Sequence, residues 1–167
     1  ALARLCANVS AAQDALGRRL ALENPSHYLR IEGHEFGEID FLAELVRRTG
    51  CRLLVDVNNV YVSARNLGLD AESIIDAFPA EAIVEIHLAG HSADPVLGEA
   101  LLVDTHDAPI ALAVWALYER LVARIGPRPT LVERDDNLPA YAELDAERAR
   151  AAAVLAEAVA HPAEAFA

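Results

Sequence analysis

Residues 51–59 read CRLLVDVNN: an apolar run that ends abruptly in an aspartate and two asparagines. A short, nearly continuous apolar stretch after a glycine (Gly50) predicts a strand buried on both faces, as in a parallel sheet. Placed there, Asp56 and Asn59 fall at the strand's C-terminal end. That is the edge where parallel α/β folds put their chemistry.

The same unit repeats in both directions. Toward the N-terminus, EIDFLAELVRRTG (38–50) has apolar residues at helical spacing, RRLALENP (18–25) reads as a strand stopped by Pro25, and residues 1–16 read as a helix stopped at Gly17. Toward the C-terminus, DAESIIDAFP (70–79) predicts a short helix capped by Asp70, and AIVEIHLAGH (82–91) a third strand. EALLVDTHDA (99–108) reads as a fourth strand. PIALAVWALYERLVARIG (109–126) reads as a helix with Pro109 in its first turn and Gly126 at its end. PTLVERDD (129–136) is a fifth strand, and residues 138–162 form a closing helix. Strands alternating with helices predict βαβ units and an α/β domain over 1–167. A doubly wound sheet and a (β/α) barrel both fit this pattern. No G-x-G-x-x-G or Walker loop favours nucleotide binding.

Composition narrows the partners. The chain is 54% hydrophobic, which excludes a disordered segment, and its net charge is −12. That charge argues against a duplex nucleic-acid partner. No apolar run approaches the roughly 20 residues of a membrane span. The opening ALARLCANVS has neither the basic stretch nor the cleavage pattern of a signal peptide. Cys6 and Cys51 have no metal-type spacing and read as reduced, buried thiols, so a cytoplasmic location is expected.

Polar groups gather at the strand ends. Glu23 ends the first strand, Asp56 and Asn59 the second, and His87 the third, with His91 just beyond. Asp104 and His106 end the fourth, and Glu133 the fifth. On an extended strand Asp104 and His106, two residues apart, would project to one face. Four carboxylates at one mouth would repel, and burying an unpaired one costs several kcal/mol. Arg134, next to Glu133, should point the other way. A bound cation removes the difficulty, and carboxylates with imidazoles and no thiolate suit iron, manganese or zinc. Glu23, Asp56, Asn59, His87, Asp104, His106 and Glu133 are therefore the expected metal ligands, with more than one metal and a bridging carboxylate. His91 is a candidate for substrate contact. Asp107, Asp135 and Asp136 read as turn or cap residues, His27 and His34 as surface loop residues, and His161 as a helix-end residue. Trp115 and Tyr118 are expected in the core.

The segments ALENPSHYL, LLVDVNNVYVSARNLGLD, EIHLAGH, VDTHDAPI and VWALYERLVARIGPRPTLVERDDNLP together resemble the multinuclear non-heme iron-dependent oxidative enzymes, the family of the methanobactin biosynthesis oxidase. The resemblance runs from about Leu20 to about Arg150. It implies a TIM barrel similar to xylose isomerase, two or three irons, and oxygen-dependent rewriting of cysteines in a ribosomally made precursor peptide. A partner protein that recognises the peptide's leader is also implied. Glu23 then matches a bridging glutamate, Asp56 and Asn59 an aspartate-and-asparagine pair, and His87 a histidine on the next strand. Asp104 and His106 match an Asp-x-His pair, and Glu133 the final glutamate, with Asn58 the less favoured asparagine. The family barrel has eight strands and this chain shows about five. The chain is therefore expected to be the C-terminal part of a (β/α)8 barrel, lacking about three N-terminal βα units. Open edges would favour a homo-oligomer. The alternatives are a non-redox metal-dependent isomerase or phosphodiesterase on the same barrel, and a non-catalytic partner-binding domain.

Overall fold

In a computed structural model, residues 1–30 and 32–160 are described. The expected helix-end residue His161 lies outside them. Among the described residues six α-helices and six strands follow one another: α1 (Leu2–Leu16), β1 (Ala21–Glu23), α2 (Glu38–Thr49), β2 (Arg52–Asp56), α3 (Val57–Leu67), α4 (Ala71–Ala77), β3 (Ile83–Leu88), β4 (Ser92–Asp94), β5 (Gly98–Val103), α5 (Leu112–Ile125), β6 (Thr130–Val132) and α6 (Tyr141–Ala160). Strands β1, β2, β3 and β6 form one parallel sheet in that order. Each crossover carries helix, as parallel pairing requires. The arrangement is compatible with a segment of a (β/α) barrel.

Two expectations are corrected. The parallel sheet has four strands, not about five. The run around LLVD instead forms β5, which pairs antiparallel with β4 in a separate hairpin. The turn of that hairpin is built by Asp94, whose Oδ1 accepts from the backbone N–H groups of Val96 and Leu97, both at 2.8 Å. An Asp-Pro-x-x-Gly turn between two short strands is a hairpin signal. The second correction concerns Val57–Leu67. Asp56 ends β2 and at once caps α3, its side chain accepting from Asn59 N–H at 2.7 Å. Asn59 therefore stands on the first turn of a helix, not on a strand end. In addition, α5 begins at Leu112, so Pro109 lies in the loop before it.

The sheet has two unlike faces. Leu53, Val55, Ile86 and Leu88 join the main core with Val114, Trp115, Tyr118, Leu121 and Val122 of α5 and with Ile75 and Phe78. These α5 residues recur every three or four positions, which gives one apolar stripe. Tyr118 is fully buried and its hydroxyl lies 3.1 Å from Thr130 Oγ1 on β6. Register puts Asp56 beside His87, and Glu23 beside Leu54. With a side-chain period of two, Glu23, Leu54, Asp56, Glu85, His87, Leu131 and Glu133 share the opposite face. That face is only partly covered: Leu131 is 47% exposed. A smaller cluster of Leu2, Val9, Leu45 and Cys51 joins α1 to α2. Among the described residues no helix is long and apolar enough to cross a membrane.

Candidate metal centre

The cluster begins with backbone. Asn24, directly after β1, is buried and continues the β1–β2 ladder with its side chain: Nδ2 donates to Asp56 O at 3.0 Å, and Oδ1 accepts from Asp56 N at 2.9 Å. Asn59 Nδ2 donates to Asn24 O at 3.0 Å. Asp56 is thus held on both sides at the junction of strand and helix. One carboxylate oxygen caps α3, and the other, Oδ2, is buried with no hydrogen-bond partner.

His87 reaches the cluster from β3. Its Nδ1 lies 3.0 Å from Glu133 Oε1 and 3.8 Å from Glu23 Oε1, while Nε2 lies 3.5 Å from Glu85 Oε1. Glu133 sits one residue past β6, fixed by its N–H donating to Leu88 O at 2.8 Å. Asp104 and His106 arrive differently from expectation. They lie in the loop after β5, and His106 has a positive φ of 52°, so strand alternation does not align them. Instead, His106 N donates to Gly90 O at 3.1 Å and Asp135 N donates to His106 O at 2.9 Å. The loop is thereby wedged between the ends of β3 and β6. Gly90 permits this wedge: a Cβ there would stand 1.9 Å from Ala108 O. His106 Nε2 is 2.9 Å from Asp104 Oδ1, and its Nδ1 is 3.3 Å from both Glu133 Oε2 and Asp135 Oδ2.

Two overlapping groups result, Glu23–Asp56–His87 and Asp56–His106–Glu133, each with ligand atoms within 4.8 Å of one another. Asp56 belongs to both. Asp104 touches the cluster through His106. Asn59 sits behind Asp56 with its Oδ1 buried and unpartnered. His91 is not in direct contact with the carboxylates; its Nδ1 meets Asn58 Oδ1 at 2.7 Å and its ring leans on Tyr61.

The electrostatics are strained without a cation. Burial pushes the Asp56 carboxyl up to about 7, aided by the neighbouring charges of Asp104 and Glu23 and opposed by the cap hydrogen bond from Asn59. Burial also raises Glu23, against the pull of His87. The Asp104 carboxylate raises His106 to about 9 despite burial. Asp104 itself is lowered: burial acts upward, but His106 and the Asn58 amide outweigh it. Arg134 gives no relief. It turns away, as expected, and pairs with Glu147 on α6 at 3.1 Å. His87 Nδ1 and both ring nitrogens of His106 stand near carboxylate oxygens but lack hydrogen-bond alignment, and all are buried. An unmet buried polar atom costs about 1–3 kcal/mol. Bare nitrogens and oxygens converging from three segments are what a hard or borderline cation satisfies.

Asn24, Asn58, Glu85 and Asp135 also meet the cluster, beyond the expected ligand set. Asp135, an expected turn residue, brings its carboxylate to 3.3 Å from His106 Nδ1. Asn24 has a faint signal in ENP, a polar residue one step past a strand end. Asp107 Oδ1 accepts from the hydroxyls of Ser92 and Thr105, and Asp136 Oδ1 from Asn137 N–H. His34 is exposed, and His27 pairs with Glu38 at 3.2 Å away from the cluster. Cys6 and Cys51 are free thiols.

Known proteins share most of this chain. A curated relative from Caulobacter vibrioides, named only UPF0276 protein, is 64% identical over 156 residues, covering 93% of this chain and 55% of its own length. One from Bordetella parapertussis, UPF0276 protein BPP1075, is 52% identical over 161 residues, covering 96% of this chain and 56% of its own. The chain thus spans about half the length of the curated relatives it matches. A family model described as RiPP precursor modification enzyme MbnB/TglH/ChrH matches residues 1–156, and to that family this chain belongs.

Proposed function

We propose that this chain is the metal-holding portion of an enzyme that uses iron and oxygen to modify cysteine residues of a ribosomally made precursor peptide. The observation that carries the reading is the meeting of Glu23, Asp56, His87, His106 and Glu133, with ligand atoms of Asp56, His87 and His106 buried and unpartnered. Family membership supports a precursor peptide as substrate. The donor set, oxygen and imidazole nitrogen without thiolate, supports iron, with manganese or zinc as the other candidates. Asp56 common to both groups fits two ions, and two or three are proposed for the complete enzyme. When bound, iron supplies redox chemistry and open coordination positions for a thiolate and oxygen.

The chain's own residues have separable tasks in this reading. Glu23, Asp56, His87, His106 and Glu133 hold the ions. Asp104 orients His106 and, with Asn59 Oδ1, offers further ligand atoms. Asn24 fixes the backbone of Asp56, the kind of outer support that sets ligand direction. His91 contacts substrate at the rim. The complete enzyme is proposed as a (β/α)8 barrel with this chain as its C-terminal part, acting with a partner that recognises the peptide's leader.

The test is metal analysis of the full-length protein after anaerobic purification, followed by oxygen uptake with a cysteine-containing peptide and its serine counterpart. Iron at two or more ions per chain, with uptake only for the cysteine peptide, is expected. Zinc or magnesium alone without oxygen uptake would replace this reading by Lewis-acid chemistry, as in a metal-dependent isomerase or phosphodiesterase. No metal above background would leave a binding domain.

A further inference from the structure

Asn58 is fully buried, and its amide has three partners. Nδ2 donates to Asp104 Oδ1 at 2.7 Å and to Gly90 O at 3.4 Å. A backbone carbonyl and an ionised carboxylate can only accept, so the orientation of this amide is fixed. Its Oδ1 then faces His91 Nδ1 at 2.7 Å and must accept there. The proton of a neutral His91 imidazole is therefore on Nδ1. Nε2 bears a lone pair, on a half-buried ring that leans on Tyr61 with centroids 5.1 Å apart. The hydrogen bond at one ring nitrogen sets the task of the other.

We propose that Asn58 is a positioning residue that locks His91 as its Nδ1–H tautomer, so that Nε2 accepts a proton from a thiol of the substrate peptide at the rim of the carboxylate–imidazole cluster. The choice of substrate rests on the peptide-modification reading; the tautomer does not. In the transfer the S–H bond breaks, its electron pair stays on sulfur, and an Nε2–H bond forms. Burial, with a smaller push from Arg65, holds the His91 imidazolium below the usual histidine range, against the pull of the negative charges of Asp104 and Glu99. Asp104 thus faces two imidazoles, His106 directly and His91 across the Asn58 amide.

The experiment is a long-range proton–nitrogen NMR spectrum of the full-length protein, labelled at histidine nitrogen and loaded with zinc as a diamagnetic ion. His91 is assigned by loss of its signals in His91→Gln. The wild type is expected to show the Nδ1–H pattern; Asn58→Leu is expected to lose it. An Nε2–H pattern in the wild type, or an unchanged one in Asn58→Leu, would overturn the lock. The pattern is readable whether or not zinc binds, so failure of the metal reading remains distinct. Adding N-acetylcysteinamide should move the His91 Nε2 signal, with no movement for the alanine counterpart or in Asn58→Leu. No movement with the thiol would overturn the acceptor role.

Discussion

Glu133 Oε1 lies 3.0 Å from His87 Nδ1 on the neighbouring strand, although 45 residues of chain separate them. The other oxygen of the same carboxylate lies 3.3 Å from His106 Nδ1. One side chain therefore faces both imidazoles of the cluster. Glu133→Gln keeps the shape and removes the charge. In the full-length protein it should weaken metal binding by at least the roughly 10–100-fold seen for outer supports. Metal content by elemental analysis should fall while the circular dichroism spectrum stays unchanged. Full retention of metal would remove Glu133 from the ligand set.

Asn24 touches no candidate ligand atom, only the backbone of Asp56 and Asn59 Nδ2. Asn24→Ala leaves the Asp56 N–H and C=O without these partners in a buried place. The expected cost is about 1–3 kcal/mol for a buried group left unsatisfied, read as a lower urea midpoint. Metal affinity should also fall by about 10–100-fold, because Asp56 is no longer held in direction. A stability loss with unchanged affinity would assign Asn24 to folding alone.

Protonation should oppose metal binding. In the metal-free protein the Asp56 carboxyl, raised to about 7 by burial, binds a proton that the unfolded chain has already released above pH 4. Its contribution to stability therefore declines as pH rises from about 4 to about 7. His106, raised to about 9 by Asp104, contributes stability below about 6.5 that is lost as pH climbs through 9. Asp104 and His91 have the opposite sign: the Asp104 change falls below about pH 4, and that of His91, lowered by burial, ends by about pH 6.5 and is smaller than that of Asp56. Urea melts of the metal-free protein should thus show stability falling from pH 5 to pH 9. Metal affinity should rise over the same range, because ligands must shed protons to bind. A metal affinity independent of pH between 5 and 8 would contradict the assignment of Asp56.

Gly90 matters for space. A methyl group there would meet Ala108 O at 1.9 Å, Ala108 C at 2.5 Å and Pro109 O at 2.8 Å, all backbone atoms. Gly90→Ala must push the 104–109 loop outward, carrying Asp104 and His106 with it. Overpacking of this kind costs about 1–3 kcal/mol. Metal content should fall together with the denaturation midpoint; an unaffected midpoint would show that the loop can shift freely.

Arg134 and Glu147 form a nearly buried pair, with Arg134 only 5% exposed at its side chain. Glu147 Oε1 also accepts from Ile110 N at 2.8 Å, so this carboxylate ties α6 to the loop before α5. Arg134→Met leaves Glu147 without its cation. Breaking such a pair costs about 3–5 kcal/mol when both groups are fully buried, and Glu147 at 17% side-chain exposure should bring the loss toward the lower end. Glu147→Gln added to Arg134→Met should recover part of it in a double-mutant cycle. Equal stability of the wild type and Arg134→Met would make the pair neutral.

Local pattern alone is enough for the α/β class and for the polar residues at the ends of β1, β2, β3 and β6. Apolar runs at 52–56 and 83–88, the stripe on α5, and glycines at 17 and 50 are signals carried by neighbours in sequence. The acids and imidazoles at 23, 56, 87, 104, 106 and 133 could be picked out because charge after an apolar run is costly without compensation. What neighbours could not decide was pairing. LLVD at 101–104 is as apolar as a central parallel strand, yet its partner is β4, chosen by the turn at Asp94–Gly98 and the packing of the hairpin on α3, where Asn66 holds Leu102 N–H and C=O. Val57–Leu67 has β-branched residues that suit a strand, but Asp56 capping its first turn makes it a helix. Only tertiary contact brings Asn24 to Asp56, Asn58 to His91, and His106 to Glu133. Each of those contacts joins residues at least 27 positions apart, so its free energy depends on where the whole chain folds and not on any local periodicity.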